Sequence, residues 1–307
     1  MCSSQTADNH VQHLLTTDKI IRATAFDHAV RAFACCSTQV CQEAVWLHNL
    51  SPIAAAALGR LMTGLLMLAE DLDKPGDSLS AIVRADGPLG GLTVVAEQNA
   101  TVRGMVQQPV VETGHRSNGK LDVGAAVGKG TLTIIRDLQL KEPYVGRVAL
   151  VSGEIAEDLA SYLAVSEQIP SIVSLGVKMT AQGITHAGGL MVQLMPEADT
   201  KIVEYLEEQV RRFPETTTLL EQGATPEDML RLLLGETLQI HTERPCAYAC
   251  PCSHERMVKN LIAMGQTELS QLAEDSEGIE LQCHFCSKQY HFSQREVGQL
   301  ITVAQKR

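Results

Sequence analysis

The chain has 307 residues, 45% of them hydrophobic and 20% charged, with a formal net charge of −11. That length exceeds one typical core and predicts two domains, and the composition excludes a largely disordered chain. The acidic balance argues against a protein that lives on nucleic acid or anionic lipid, so neither nucleic acid nor membrane is expected as a partner. Aromatic residues are sparse at 4%, with Trp46 the one tryptophan, so the core must be mostly aliphatic. The start, Met1-Cys2-Ser3-Ser4-Gln5, is polar and lacks an apolar run with a cleavage site. Nine cysteines without an export signal point to a reducing, cytoplasmic compartment, where close-paired cysteines bind metal or do redox work.

In chain order, residues 1–20 read as a ragged start. Ala23 to Val45 reads as mixed, with a strand-like patch at Arg31-Ala32-Phe33. Ser51 as N-cap and Pro52 in the first turn open a helix through Ile53, Leu58, Leu61, Leu65 and Leu68, ended by Glu70 and Asp71. Arg60 near its middle and its limited apolar length make it a core helix rather than a membrane span. From Leu79 the texture changes to strands, at Leu92–Val95, Thr101–Val106, Thr131–Ile135 and Val148–Val151. Asp86-Gly87, Gly90-Gly91 and Asn118-Gly119 serve as turns. Ser152 is expected to cap a helix with Ile155, Leu159, Tyr162 and Leu163 on one face, closed by Pro170. Strands follow over Ile172–Val177 and Gly188–Met195. Strands dominate and crossover helices are few, so residues 1–196 read as an α+β domain with an antiparallel sheet and packed helices.

Residues 197–249 carry eleven acidic and five basic residues and read as a charged helical linker. Ile202, Leu206 and Val210 recur at four-residue spacing. Thr225-Pro226-Glu227-Asp228 starts a helix through Leu230 and Leu232–Leu234, which Gly235 ends. These short amphipathic helices have no core of their own and must lie on something else.

The chemistry concentrates in residues 250–307. Cys250-Pro251-Cys252 and Cys283-His284-Phe285-Cys286 are two tight cysteine pairs separated by thirty residues. Cores do not select such spacing, whereas one tetrahedral Zn(2+) does. Four sulfurs leave no open coordination position, so the metal is expected to be structural and not hydrolytic. His254, His284 and His291 lie nearby as supporting or surface groups, and Cys246 as a bystander thiol able to enter exchange. A unit of 58 residues has a marginal core, so the metal's binding free energy, on the order of 10–16 kcal/mol, is largely its folding free energy.

These residues resemble the redox-regulated 33 kDa chaperonin (heat-shock protein 33) family. Cys250-Pro251-Cys252-Ser253-His254-Glu255 is similar to its Cys-x-Cys-Ser-x-Glu, and Ile279 to Cys286 with Tyr290-His291-Phe292 to its second half. Asp86-Gly87-Pro88, Val127-Gly128-Lys129-Gly130, Tyr144-Val145-Gly146, Ser166 to Pro170 and Ala187-Gly188-Gly189 carry the resemblance through the N-terminal part. The resemblance implies an ATP-independent holdase that is not an enzyme. It implies one Zn(2+) per chain on Cys250, Cys252, Cys283 and Cys286 in the reduced, inactive state. Oxidation forms two neighbouring disulfides, Cys250–Cys252 and Cys283–Cys286, releases the metal, and unfolds the switch domain (250–307) and linker (197–249). The active form binds unfolding proteins and is a homodimer.

Pro251 restricts its own pair toward extended geometry. Cys2, Cys35, Cys36, Cys41 and Cys246 lie outside the four-cysteine pattern and read as ordinary thiols. Gly128-Lys129-Gly130 lacks the spacing of a phosphate loop and reads as a turn. Two other functions compete. A zinc-ribbon-like nucleic-acid binder is disfavoured because residues 250–307 hold six Lys/Arg against seven Asp/Glu. A thiol–disulfide oxidoreductase is disfavoured because Cys283-x-x-Cys286 sits outside any thioredoxin-like βαβ pattern.

Overall fold

A computed structural model describes residues 18–112, 116, 119–274 and 277–304, the last three by backbone alone. Two compact units divide the chain, Met1–Tyr248 and Ala249–Arg307. The first begins with β1 (Lys19–Ala25), β2 (Val30–Cys36), α1 (Thr38–His48) and α2 (Pro52–Leu68). Next come β3 (Ser78–Ala85), β4 (Leu92–Glu97), β5 (Thr101–Val106), α3 (Val123–Val127), β6 (Gly130–Asp137) and β7 (Tyr144–Ala149). Then follow α4 (Ala156–Tyr162), β8 (Ser171–Thr180), β9 (Gly183–Leu194), α5 (Thr200–Arg212), α6 (Thr216–Glu221), α7 (Pro226–Leu234), β10 (Gln239–Pro245) and β11 (Ala247–Tyr248). The second unit holds α8 (His254–Met264), α9 (Gln266–Leu272), β12 (Ile279–Gln282), β13 (Gln289–Phe292) and α10 (Gln294–Ala304). The architecture is α+β.

Two sheets build the first unit, in strand orders β10-β1-β2-β9-β8 and β11-β5-β4-β3-β6-β7. All pairings in them are antiparallel except the short β11–β5 pair. Helix α2 packs on β2, β8 and β9 of one sheet and on β3, β4 and β5 of the other. Fifteen of its seventeen residues are therefore buried, and it has no polar face to show. Small residues let the layers close: a Cβ on Gly64 would stand 2.4 Å from Leu159 Cδ1, and one on Gly104 of β5 2.9 Å from Leu58 Cδ1. Arg60 is accommodated by an ion pair to Glu154 at 2.7 Å. By length and apolarity alone this helical stretch, Pro52–Asp71, could cross a membrane; its burial, 89% of its most apolar window, marks it as a core helix.

Strand alternation gives the five-stranded sheet two apolar faces. Ile20, Phe33, Cys35, Ala187 and Met191 join the α2 core. Ile21, Ala23, Val30, Ala32, Leu190 and Val192 meet Leu206, Leu219, Leu220, Met229, Leu230, Leu233 and Leu234 of α5–α7. The acidic helical segment thus lies on the sheet's second face. Thr225 and Asp228 form the capping box of α7: the Thr225 hydroxyl accepts from the Asp228 N–H at 3.2 Å, and the Asp228 carboxylate from the Thr225 N–H at 2.9 Å.

Several local expectations are corrected. Lys19 and Ile20 belong to β1, not to a ragged start; residues 1–17, with Cys2, and Asn118 lie outside the described residues. Residues 239–245 and 247–248 are strands within a stretch read as helical. β10 is polar and largely exposed, and its hydrogen bonds come from the edge of β1, so no periodicity announced it. Ser51 occupies the N-cap position of α2, but its hydroxyl accepts from the Val111 N–H at 3.2 Å instead of capping the helix. Ser152 does not cap α4. Ile155 is its N-cap residue, and the Asp158 carboxylate accepts from the Val151, Ser152, Gly153 and Ile155 N–H groups.

Candidate metal centre

Two local structures present the four cysteines. Cys250-Pro251-Cys252 is a stretch without regular secondary structure leading into α8, whose N-cap Ser253 is extended and accepts the Arg256 N–H at 3.2 Å. Pro251 is exposed, and its carbonyl accepts from the Arg256 guanidinium at 3.4 Å, so the spacer is pinned from the first turn of the helix it precedes. Cys283 and Cys286 occupy the tip of the β12–β13 hairpin, whose register runs from Ile279↔Phe292 to Gln282↔Gln289. The Cys283 N–H donates to the Lys288 carbonyl at 2.9 Å and the Ser287 N–H to the Cys283 carbonyl at 2.8 Å, with Ser287 at φ 58° closing the turn.

The four sulfurs all lie within 4.8 Å of one another. The short separations run across the pairs: Cys250 Sγ to Cys283 Sγ is 3.7 Å, and Cys252 Sγ to Cys286 Sγ is 3.2 Å. A tetrahedron with metal–sulfur bonds of about 2.3 Å has sulfur–sulfur edges of about 3.8 Å, so the donor set fits a thiophilic tetrahedral ion. Cys283 is buried and the other three are partly buried. No other group of three or more potential ligands is gathered this way among the described residues.

The electrostatics show why four thiolates cannot stand together unaided. Burial pushes the Cys250 thiol up and the Cys286 thiol up to about 11. Burial also acts upward on Cys252, but hydrogen bonds from Tyr290, Cys286 and the other two thiols outweigh it and bring that thiol down to about 7. The Tyr290 hydroxyl donates to Cys252 Sγ at 3.1 Å. Burial thus works against the charged form at Cys250 and Cys286 while donors favour it at Cys252, and a divalent cation would supply the charge that lets all four serve as thiolates.

Tyr290 enters the sequence reading only within the Tyr290-His291-Phe292 stretch of the family resemblance, with no role at the cysteines; the hairpin is what brings its hydroxyl to Cys252. Among the histidines, His254 stacks on Phe292 with ring centroids 4.4 Å apart, while His284 and His291 are exposed. Around the cysteines lies a small core in which Leu261, Leu269, Cys283, Tyr290, Phe292 and Val297 are buried. Cys35, Cys36, Cys41 and Cys246 are buried in the first unit.

The profile of the Hsp33 protein family matches residues 18–293, a span that includes all four clustered cysteines. The chain belongs to the Hsp33 family. It is 45% identical to the 33 kDa chaperonin of Ruminiclostridium cellulolyticum over 285 residues, covering 92% of this chain and 98% of that one. It is likewise 45% identical to the 33 kDa chaperonin of Symbiobacterium thermophilum, with 92% and 97% covered. The crystal structure of the 33 kDa chaperonin (heat shock protein 33 homolog) of Thermotoga maritima superposes with a TM-score of 0.87 at 35% identity, covering 95% of this chain and all of that one. As an Hsp33 protein the chain is a chaperone and not an enzyme, with a C-terminal four-cysteine cluster able to bind a metal ion.

Proposed function

We propose that this chaperone is an ATP-independent holdase of the reducing cytoplasm, switched on by oxidation of Cys250, Cys252, Cys283 and Cys286. One observation carries the reading: four thiols, gathered within 4.8 Å, hold together a unit whose core is only a handful of buried side chains. Bound Zn(2+), one per chain, would supply the positive charge that keeps the four as thiolates and the unit folded.

Oxidation removes the ligands. Each disulfide takes two thiols and gives up two electrons and two protons, which reduce one peroxide to two waters. With Cys250–Cys252 and Cys283–Cys286 bridged, no thiolate remains to hold a cation, and residues 250–307 lose the interaction that offsets their chain entropy. Residues 197–249 unfold next, baring the sheet face of Ile21, Val30, Ala32, Leu190 and Val192 that α5–α7 cover. An unfolding client offers apolar surface of the same kind, and the active protein acts as a homodimer.

The oxidoreductase reading finds no support in the site. Cys283 and Cys286 sit at a hairpin tip rather than at a helix N-terminus after a parallel strand. The deciding experiment compares reduced, zinc-loaded protein with peroxide-treated protein, measuring zinc release and suppression of client aggregation together. Equal suppression by both forms would overturn the switch.

A further inference from the structure

Two of the cysteines outside the cluster meet across the first unit. Cys35 lies in β2, fully buried, and Cys246 follows β10 at 7% exposure; both belong to the α2 core. They are 211 residues apart in sequence, yet their sulfurs stand 3.9 Å apart. Their neighbours face elsewhere. Cys36 Sγ lies 3.8 Å from Thr38 Oγ1, and Cys41 Sγ 3.9 Å from Ser37 Oγ. The Cys246 N–H donates to the Asp18 carbonyl at 3.1 Å, fixing Cys246 just beyond the β1–β10 ladder.

We propose that Cys35 and Cys246 are a second redox-sensitive dithiol, whose disulfide fastens the end of β10, in the 197–249 segment, to β2 of the core sheet. An S–S bond of about 2.05 Å requires the sulfurs to close by roughly 2 Å. That movement falls to Cys246, which lies between two edge strands each paired on one side only, β10 with β1 and β11 with β5, whereas Cys35 sits within β2, held on both sides by β1 and β9. The oxidant is a peroxide. The Cys246 sulfur attacks it, an S–O bond forms as O–O breaks, and water leaves. The Cys35 sulfur then attacks the Cys246 sulfur, S–S forms as S–O breaks, and the Cys35 proton departs with the second water.

Burial sets the order. Cys35 is enclosed, and contact with Cys246 and burial hold its thiol well above the ordinary range, so it waits until the end of β10 opens. The four clustered cysteines, of which three are partly exposed, react first. The consequence rests on the redox reading above and narrows it: while the Cys35–Cys246 bridge is closed, the unfolding described there for 197–249 stops short of β10, and it runs through β10 only where the bridge is absent or reduced. The bridge itself does not depend on that reading.

The test treats reduced, full-length protein with hydrogen peroxide, alkylates residual thiols in denaturant, and maps linked peptides without reduction. A Cys35–Cys246 link is expected in the wild type and in Cys36→Ser, forming after the four clustered thiols are lost, and absent in Cys246→Ser. Hydrogen exchange over 239–246 should remain slow in the oxidised wild type and become fast in oxidised Cys246→Ser. Alkylation of both Cys35 and Cys246 after the cluster is fully oxidised overturns the proposal. So does a link from Cys246 to Cys36 or to the cluster. A Cys35–Cys246 link in protein that fails to suppress aggregation would count against the holdase reading and leave the bridge standing.

Discussion

Asp18 offers a quantitative test of how the first unit is held. Its carboxylate is 3% exposed and reaches the start of α1, where Oδ2 accepts the Val40 N–H at 2.8 Å while Oδ1 has no partner. Burial, only partly offset by hydrogen bonds from the backbone of residues 38–40, raises its pKa from 3.8 to about 6. The folded value lies above the unfolded one, so the folded state binds the proton more tightly. The group's contribution to stability is then complete below pH 3.8 and is lost as the pH rises through 6. At 1.36 kcal/mol per unit, that loss is about 1.6 kcal/mol at pH 5 and about 3 kcal/mol at pH 8. Asp18→Asn removes the titration. Its amide leaves a buried polar group to satisfy, a cost of about 1–3 kcal/mol that does not change with pH. We therefore predict that the stability of the variant minus that of the wild type grows by about 1.4 kcal/mol between pH 5 and 8, whatever its sign at either end. Urea unfolding of both reduced proteins, followed by circular dichroism, reads this difference while other titrating groups cancel. Parallel curves across that range, or a gap that closes with rising pH, would refute the assignment.

Other perturbations have equally direct readouts. Cys283→Ser should abolish stoichiometric zinc binding and leave 250–304 exchanging at near-unfolded rates, while amides of α2 stay protected. Tyr290→Phe removes the hydroxyl that donates to Cys252 Sγ at 3.1 Å, so the zinc-loaded variant should lose its metal to a competing chelator several-fold faster than the wild type; an unchanged rate would mean that the neighbouring groups suffice. Leu230→Ala deletes a fully buried side chain between α7 and the sheet and should cost about 2–5 kcal/mol, loosening exchange over 200–234 before α2 is affected. Disulfide mapping after brief peroxide exposure should separate two routes. Oxidation of the intact cluster favours the 3.2 Å Cys252–Cys286 contact first, whereas oxidation after opening yields neighbour pairs through the shorter loops.

The sequence was legible where a residue's role is local. Ser51-Pro52 with its apolar run marks α2, the Thr225-Pro226-Glu227-Asp228 start marks α7, and the two cysteine pairs mark the four-cysteine cluster. It was opaque where the partner is remote. β10 carries no apolar alternation because an edge strand beside β1 needs only backbone complementarity. The Ser51 hydroxyl serves Val111, and Asp18 serves the start of α1, because chain segments far apart in sequence end side by side. Cys35 and Cys246 look like unrelated thiols until the sheet brings their sulfurs together. Tyr290 is found only by following the hairpin register back to Cys252.

The two sets of thiols differ in what surrounds them, and that difference gives the molecule a sequence of events. In the second unit the cysteines are themselves much of what is packed, three of them partly exposed, so chemistry at sulfur is chemistry on the fold. In the first unit the helix α2 is enclosed by two sheets, and removing Cys35 or Cys246 subtracts little from a core built of Leu, Met and Ala along its whole length. Under the proposed switch, oxidation would unmake the small unit without threatening the large one. Between them in sequence, the acidic helices hold their position through Leu206, Leu219, Met229, Leu230 and Leu233 on one sheet face. Their outer surfaces are charged, so little apolar area anchors them relative to the chain entropy they would regain. Under the same proposal, that intermediate segment is the part of the protein whose order a redox change in the second unit would decide, and β10, with Cys246 just beyond its end, is where its release would be resisted.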